Sequence, residues 1–201
     1  GVFGKWRCDA VEVCRGDESR KPIPETAERV VCDALIVSVG LIPENEIAES
    51  IGVTLDTRTK GPVVDAQLMT SVPGVFSCGN ALHVNDLVDF VSASGELAGM
   101  NAARFAAAER AEKRFEVGNN LMYFVPQCLD LNADNSKVTY YFRSAKIFAK
   151  CRLSLYADGK EIWKKAYPFL RPPEMKELVL DMTKFDISGD TALRWEIEVE
   201  E

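Results

Sequence analysis

Residues 70–107, TSVPGVFSCGNALHVNDLVDFVSASGELAGMNAARFAA, narrow the fold more than any other stretch. A short apolar strand, GVFSCG, is stopped by glycine and followed by a polar residue, a loop and a helix of small side chains. A strand ending in Gly79 lets another chemical group approach the backbone, because no Cβ stands in the way. Asn80 would project from that strand end, placed to hydrogen-bond a sugar-like hydroxyl. The start of the next helix, around Asp89 and Phe90, would present free backbone N–H groups and the positive end of the helix dipole to partial negative charge. The helix itself is expected over residues 92–115, rich in Ala, Glu, Leu, Met, Lys and Arg. Within it Gly95 and Gly99 share a face with Ala98, Ala102 and Ala103. Each glycine costs roughly 1 kcal/mol relative to alanine, so close approach to a sheet or ligand is the expected reason for both.

The flanking sequence divides by pattern. Residues 6–13 alternate and suit a strand with one slip in phase, whereas residues 16–29 carry Gly, Pro and charge and suit a loop. VVCDALIVSVG, ending at Gly40, is apolar and β-branched throughout, which fits a buried, parallel-type strand over residues 30–39. Pro43, Glu44 and Glu46 could open a short helix through Ser50, ended by Gly52. Lys60-Gly61-Pro62 reads as a turn. Composition shifts at residues 116–120, and beyond it five to eight short strands, with Asp158-Gly159 as a hairpin turn, argue for a small antiparallel sandwich. Two domains are therefore expected, residues 1–117 and 118–201.

Composition excludes several classes. A net charge of −7 gives no nucleic-acid footprint. No apolar run approaches the roughly 20 residues of a bilayer span, and no basic-then-apolar leader opens the chain, so no membrane span is expected and the localisation reads as cytoplasmic. Six scattered cysteines lack a C-x-x-C pair, and the single histidine argues against a metal site. Cys78 reads as core packing rather than a catalytic thiol. His83 reads as a loop or domain contact, with acid–base work as the alternative. Asp89 could equally be an N-cap. Trp6, Trp163 and Trp195 read as core or sheet-face residues.

Thr70, Pro73, Val75, Phe76, Gly79 and Asn80 resemble the T-x-x-P-x-(V/I)-(F/Y)-A-x-G-D flavin motif of the pyridine nucleotide-disulfide oxidoreductase superfamily, the thioredoxin reductase-like flavoproteins. Asn80 stands where the motif has Asp. The segment CDALIVSVGLIPENEIAESIGV is similar to the one that closes the nicotinamide nucleotide domain in the same family, with Gly40 ending that domain's last strand. More narrowly, GNALHVNDLVDFVSASGELAG is similar to flavoproteins that accompany glycerol-3-phosphate dehydrogenase-like and sarcosine or opine oxidase-like subunits. The resemblance implies FAD and NAD(P) as cofactors and cofactor-binding roles for Gly40, Gly79, Asn80, Asp89 and Phe90, with the ribityl or pyrophosphate region falling to Asn80 and the isoalloxazine ring to the helix start. It assigns no catalytic residue.

No G-x-G-x-x-G occurs in the chain, although such a flavoprotein needs one for each dinucleotide. The expected fold is therefore an α/β remnant of FAD/NAD(P)-binding, Rossmann-like domains followed by an antiparallel β-sandwich. The expected function is an FAD-dependent oxidoreductase passing hydride between NAD(P)H and flavin as part of a longer parent, this chain being inactive and binding neither cofactor tightly alone. The alternative is a non-catalytic interaction module whose β-sandwich docks a partner subunit. A remnant lacking its sheet neighbours exposes apolar edges, so an oxidoreductase partner subunit, self-association through residues 34–39 and the Gly95/Gly99 face, or rearrangement away from the parental fold is expected. The sandwich is expected to fold without the α/β part.

Overall fold

A computed structural model describes residues 1–17, 21–37, 40–107 and 109–199. The chain forms two compact units, Gly1–Gly40 and Leu41–Glu201.

The first unit is an antiparallel meander of β1 (Val2–Phe3), β2 (Ala10–Val13) and β3 (Glu28–Val31), in that order across the sheet. Its register pairs Phe3 with Ala10 and Ala10 with Val31. Gly4 lets the chain turn after β1: at φ +129° its backbone passes so close to the Arg7 carbonyl that a Cβ would lie 1.8 Å from that oxygen. The buried, parallel-type strand expected over residues 30–39 is not formed. β3 ends at Val31 and pairs antiparallel with β2, residues 34–37 have no regular structure, and Ser38 and Val39 lie outside the described residues. Val31 is 84% and Ile36 92% exposed. A parallel strand is stable when neighbours flank it and helices cover both faces, and this meander gives β3 one antiparallel partner. Trp6, expected to pack, is 91% exposed.

The second unit opens with α1 (Glu46–Ser50), where the acidic first turn predicted it. Residues 54–78 then run irregularly through isolated bridges, among them Met69 with Phe76, so the strand expected at residues 75–78 is one antiparallel bridge, half-buried. Two helices follow, α2 (Gly79–Leu82) and α3 (Val88–Ala103). The helix expected over residues 92–115 thus begins four residues early and ends twelve early. Residues 112–117 have helical propensity but form β4 (Glu112–Val117), because Glu112 to Arg114 pair with Asp130 to Cys128. Tertiary pairing overrides a preference of tenths of a kcal/mol per residue. A Cβ on Gly95 or Gly99 would meet nothing within 4 Å, so neither marks a close approach.

The remaining strands are β5 (Leu121–Val125), β6 (Cys128–Asp130), β7 (Val138–Ser144), β8 (Phe148–Ala157), β9 (Lys160–Leu170), β10 (Lys176–Leu180) and β11 (Leu193–Val199). They make two sheets, β10-β7-β5 and β6-β4-β11-β8-β9, antiparallel except for β4 with β11. The hairpin at Asp158-Gly159 has positive φ at both residues, 50° and 77°, as its sequence predicted. Trp195, fully buried, stacks on Phe124 at 4.4 Å and meets Tyr140 edge-on at 5.5 Å, with Trp163 packed on it.

The composition shift at residues 116–120 falls inside this unit. It is the turn between β4 and β5, gripped by Arg58, whose guanidinium donates to the carbonyls of Val117 (2.8 Å), Gly118 (3.3 Å) and Leu121 (2.7 Å). Val64, Leu68, Leu82 and Ala98 share one apolar cluster with Tyr123 and Val125 of β5, so the glycine–helix segment and the β-rich region have a common core.

Candidate functional site

The segment around Gly79 gains its shape from backbone first. Gly79 opens α2 at φ +61°, a left-handed conformation that glycine adopts without a steric penalty, and a Cβ there would press on Val91 at 3.2 Å. Its N–H donates to Ser94 Oγ at 2.9 Å, and that hydroxyl donates back to the Val91 carbonyl at 2.8 Å. Serine 94 thereby ties the start of α2 to the middle of α3. Asn80 does not project from a strand end. It lies within α2, exposed, and its Oδ1 accepts from Asn85 N (3.1 Å) and Asn85 Nδ2 (3.4 Å), which closes the turn between the two helices.

The turn delivers Leu87 as the residue preceding α3, and no side chain caps the helix there. Asp89 is therefore not the N-cap; it sits exposed in the first turn. Leu87 and Val88 are 55% and 77% exposed. An uncapped helix start with open N–H groups, one exposed carboxylate and two exposed apolar side chains is a surface that would suit a flat heterocycle with a polar edge. Phe90, half-buried, turns inward and meets Tyr141 edge-on at 5.4 Å. Of the five residues singled out from the sequence, Gly79, Asn80, Asp89 and Phe90 fall within this two-helix turn. Gly40 belongs to the first unit, exposed at φ +65°.

Sequence reasoning missed what holds the turn in place. Arg143 of β7 lies beneath it and forms an ion pair with Asp86. The same guanidinium donates to Tyr123 Oη at 2.9 Å, to the Val84 carbonyl at 3.4 Å and to the Pro173 carbonyl at 2.5 Å. Asp86 Oδ2 in turn accepts from Met175 N at 2.8 Å. A planar guanidinium with five donors can satisfy several acceptors in fixed directions, which lysine cannot do. The signal was legible in KVTYYFRSA, where arginine interrupts an otherwise apolar and aromatic strand.

His83 lies between Tyr123 and Tyr141, with ring centroids 5.7 and 5.5 Å away, and is 2% exposed. Burial holds its pKa down to about 4, Arg143 adding to the effect and Asp86 opposing it. The ring is neutral near pH 7 and acts as packing; acid–base work would require access that it lacks. Burial also pushes the Tyr123 phenol upward, against the nearby Arg143 charge.

A second buried charge sits at the base of the segment. Asp65, 1% exposed, accepts from the N–H groups of Gln67 (3.0 Å) and Met69 (2.9 Å) and from Arg110 (2.7 Å). Burial raises its pKa, and those donors oppose the rise. Arg110 also donates to the Thr70 carbonyl at 3.0 Å, so the pair fixes the turn before residue 70. Cys78 is half-buried against the Val64–Leu68–Leu82 cluster, in keeping with a packing role. Among the described residues no group of three or more His, Cys, Asp or Glu side chains could hold a metal, and no helix is long and apolar enough to cross a membrane.

Residues 1–98 match the model of the family described as pyridine nucleotide-disulphide oxidoreductase. The match covers the first unit, α1, α2 and most of α3, just under half of the chain. Members of that family have Rossmann-like folds that generally bind FAD and NAD(P), whereas the sheet formed within the matched residues here is the antiparallel β1-β2-β3 meander.

Proposed function

We propose that this chain supplies one wall of the flavin site of an FAD-dependent, NAD(P)H-linked oxidoreductase, the glycine-rich loops that cradle phosphate coming from other polypeptide. The observation that carries the reading is the uncapped, solvent-facing start of α3, held by the Asn80–Asn85 turn in a stretch matched by an oxidoreductase family. Asn80 offers its side-chain amide to the ribityl region. The N–H groups at Val88 and Asp89 would hold the pyrimidine edge, and Leu87 and Val88 would cover the ring. Gly40 serves the nicotinamide nucleotide side. When bound, the flavin supplies hydride transfer with the nicotinamide, while the residues named here bind, orient and exclude water.

This division of labour has a consequence for binding. Without phosphate-cradling loops most of the cofactor's binding free energy is missing, so FAD affinity for the chain alone should be weaker than micromolar. What remains should recognise the isoalloxazine and ribityl half. In a fluorescence titration riboflavin should therefore compete with FAD while ADP does not, and Asn80→Ala with Leu87→Asp should abolish the competition. Competition by ADP, or sub-micromolar FAD affinity, would contradict the proposed wall.

A second reading is a non-catalytic module whose β-rich region docks a partner subunit, favoured by the absence of both dinucleotide fingerprints from the sequence. It predicts no flavin binding at any accessible concentration.

A further inference from the structure

The thiols of Cys8 and Cys32 lie 24 positions apart in sequence, yet their sulfurs are 3.6 Å apart. Strand register brings them together. Continuing the Ala10–Val31 pairing by one step sets Asp9 against Cys32, and the Cys32 N–H donates to the Asp9 carbonyl at 3.4 Å. Asp9 N–H donates to the Phe3 carbonyl at 2.9 Å, and the Gly4 turn holds the loop that carries Cys8. One residue further out, Arg7 and Asp33 form an ion pair at 2.9 Å across the same gap. Both thiols are half-buried, and Arg7, Asp9 and Asp33 around them are exposed, so a small oxidant can reach the pair. A disulfide needs sulfurs about 2.05 Å apart, which leaves a closure of about 1.5 Å, within the reach of side-chain rotation.

We propose that Cys8 and Cys32 are a modification site: a dithiol that hydroperoxides convert to a disulfide closing the 8–32 loop. The thiolate of one cysteine attacks a peroxide oxygen, breaking the O–O bond; the sulfur becomes a sulfenic acid and the leaving oxygen departs as an alcohol or water. The second thiol then attacks that sulfur, forming the S–S bond and releasing water. With hydrogen peroxide, two thiols and one peroxide give one disulfide and two waters, the sulfurs losing the two electrons that the peroxide gains. A thiol reductant reverses the change by exchange. Burial and the neighbouring thiol raise the pKa of Cys8, so oxidation should quicken as pH rises toward and past the ordinary thiol range. The site lies in the first unit and stands independently of the flavin reading.

The test uses the chain as it is, treated with hydrogen peroxide and then denatured for thiol counting and peptide mapping. Two of the six thiols should be lost, with a mass lower by two hydrogens and one linked peptide pair holding Cys8 and Cys32. Trypsin cuts between them, at the exposed Arg15 and Arg29, should leave the pieces joined until reductant is added. Cys14→Ser should retain the cross-link, whereas Cys32→Ser should lose it and leave Cys8 to oxidise further. Oxidation that leaves Cys8 and Cys32 as thiols, takes them to acids without linking them, or pairs either with another cysteine overturns the proposal. Because the mapping is done on the unsubstituted chain, it does not depend on any variant folding.

Discussion

Gly1–Gly40 and Leu41–Glu201 both contain apolar, β-branched runs, but they use them differently. Among the described residues of the first unit, the buried ones are Ala10 and Val11, and all four residues of β3 are exposed. In the second unit β7 is flanked by β5 and β10, and its run from Tyr140 to Ser144 is buried without a break. Both segments read as strands in sequence, the first through its valines and the second through its aromatic residues. What separates them is the number of strands and faces that the chain supplies to cover each, since stabilisation follows area removed from water rather than the hydrophobicity of the run itself. An apolar strand is a core strand only in the company of its neighbours.

The comparison can be broken most forcefully at Trp195. Trp195→Ala removes the ring on which Phe124, Tyr140 and Trp163 pack and should cost about 3–5 kcal/mol in urea unfolding. A cost near zero would mean that the two-sheet core is not what stabilises the second unit.

A pH effect of slightly smaller size is expected from His83. Its folded pKa, about 4, lies below its unfolded value of 6.5, so the unfolded chain takes up a proton first on acidification. The stabilisation is complete above pH 6.5 and is lost as pH falls toward 4, by about 3 kcal/mol at most. Urea midpoints for the wild type and His83→Leu, measured from pH 7 to pH 4, should show the variant losing less. Parallel pH profiles would show that the ring is not buried beside Arg143 as described.

Arg143→Met leaves the Pro173 carbonyl without its donor and Asp86 without its ion pair, though still held by the Met175 N–H. Because Asp86 is one-third exposed, the cost should be about 2 kcal/mol, below that of a fully buried pair. Hydrogen exchange should quicken at residues 84–88 before it does elsewhere. The smallest effect belongs to the first unit: Ile36→Ser, at a position 92% exposed, should change stability by no more than about 0.5 kcal/mol. A larger loss would mean that Ile36 is covered in solution, by a second copy of the chain or by a partner.

Local chemistry was legible and long-range company was not. Asp158-Gly159 named its own hairpin, because positive φ at both turn positions is a property of those two residues. Pro43, Glu44 and Glu46 likewise announced α1, and the composition after residue 92 located α3, though not α2 at Gly79. The strand expected over residues 30–39 and the helix expected through Phe115 failed for a common reason: burial of the first and the strand pairing of β4 are decided by residues distant in sequence. The arginine within KVTYYFRSA stood out, but the pairings of Asp65 with Arg110, Asp86 with Arg143 and Cys8 with Cys32 were illegible on the same ground, the partners being 45, 57 and 24 positions apart. Asn80 lies within α2 rather than at a strand end, and its acceptor role toward Asn85 rests on a local turn that the strand–glycine pattern did not reveal.

The central functional claim is that the start of α3, braced from below by Arg143, faces a flavin. Amide chemical-shift mapping during a titration with FMN tests it directly. The account predicts saturable shifts at Asn80, Val88, Asp89 and Phe90, with the amides of β8 and β9 unmoved. Shifts confined to the outer strands, or none up to millimolar FMN, would contradict it.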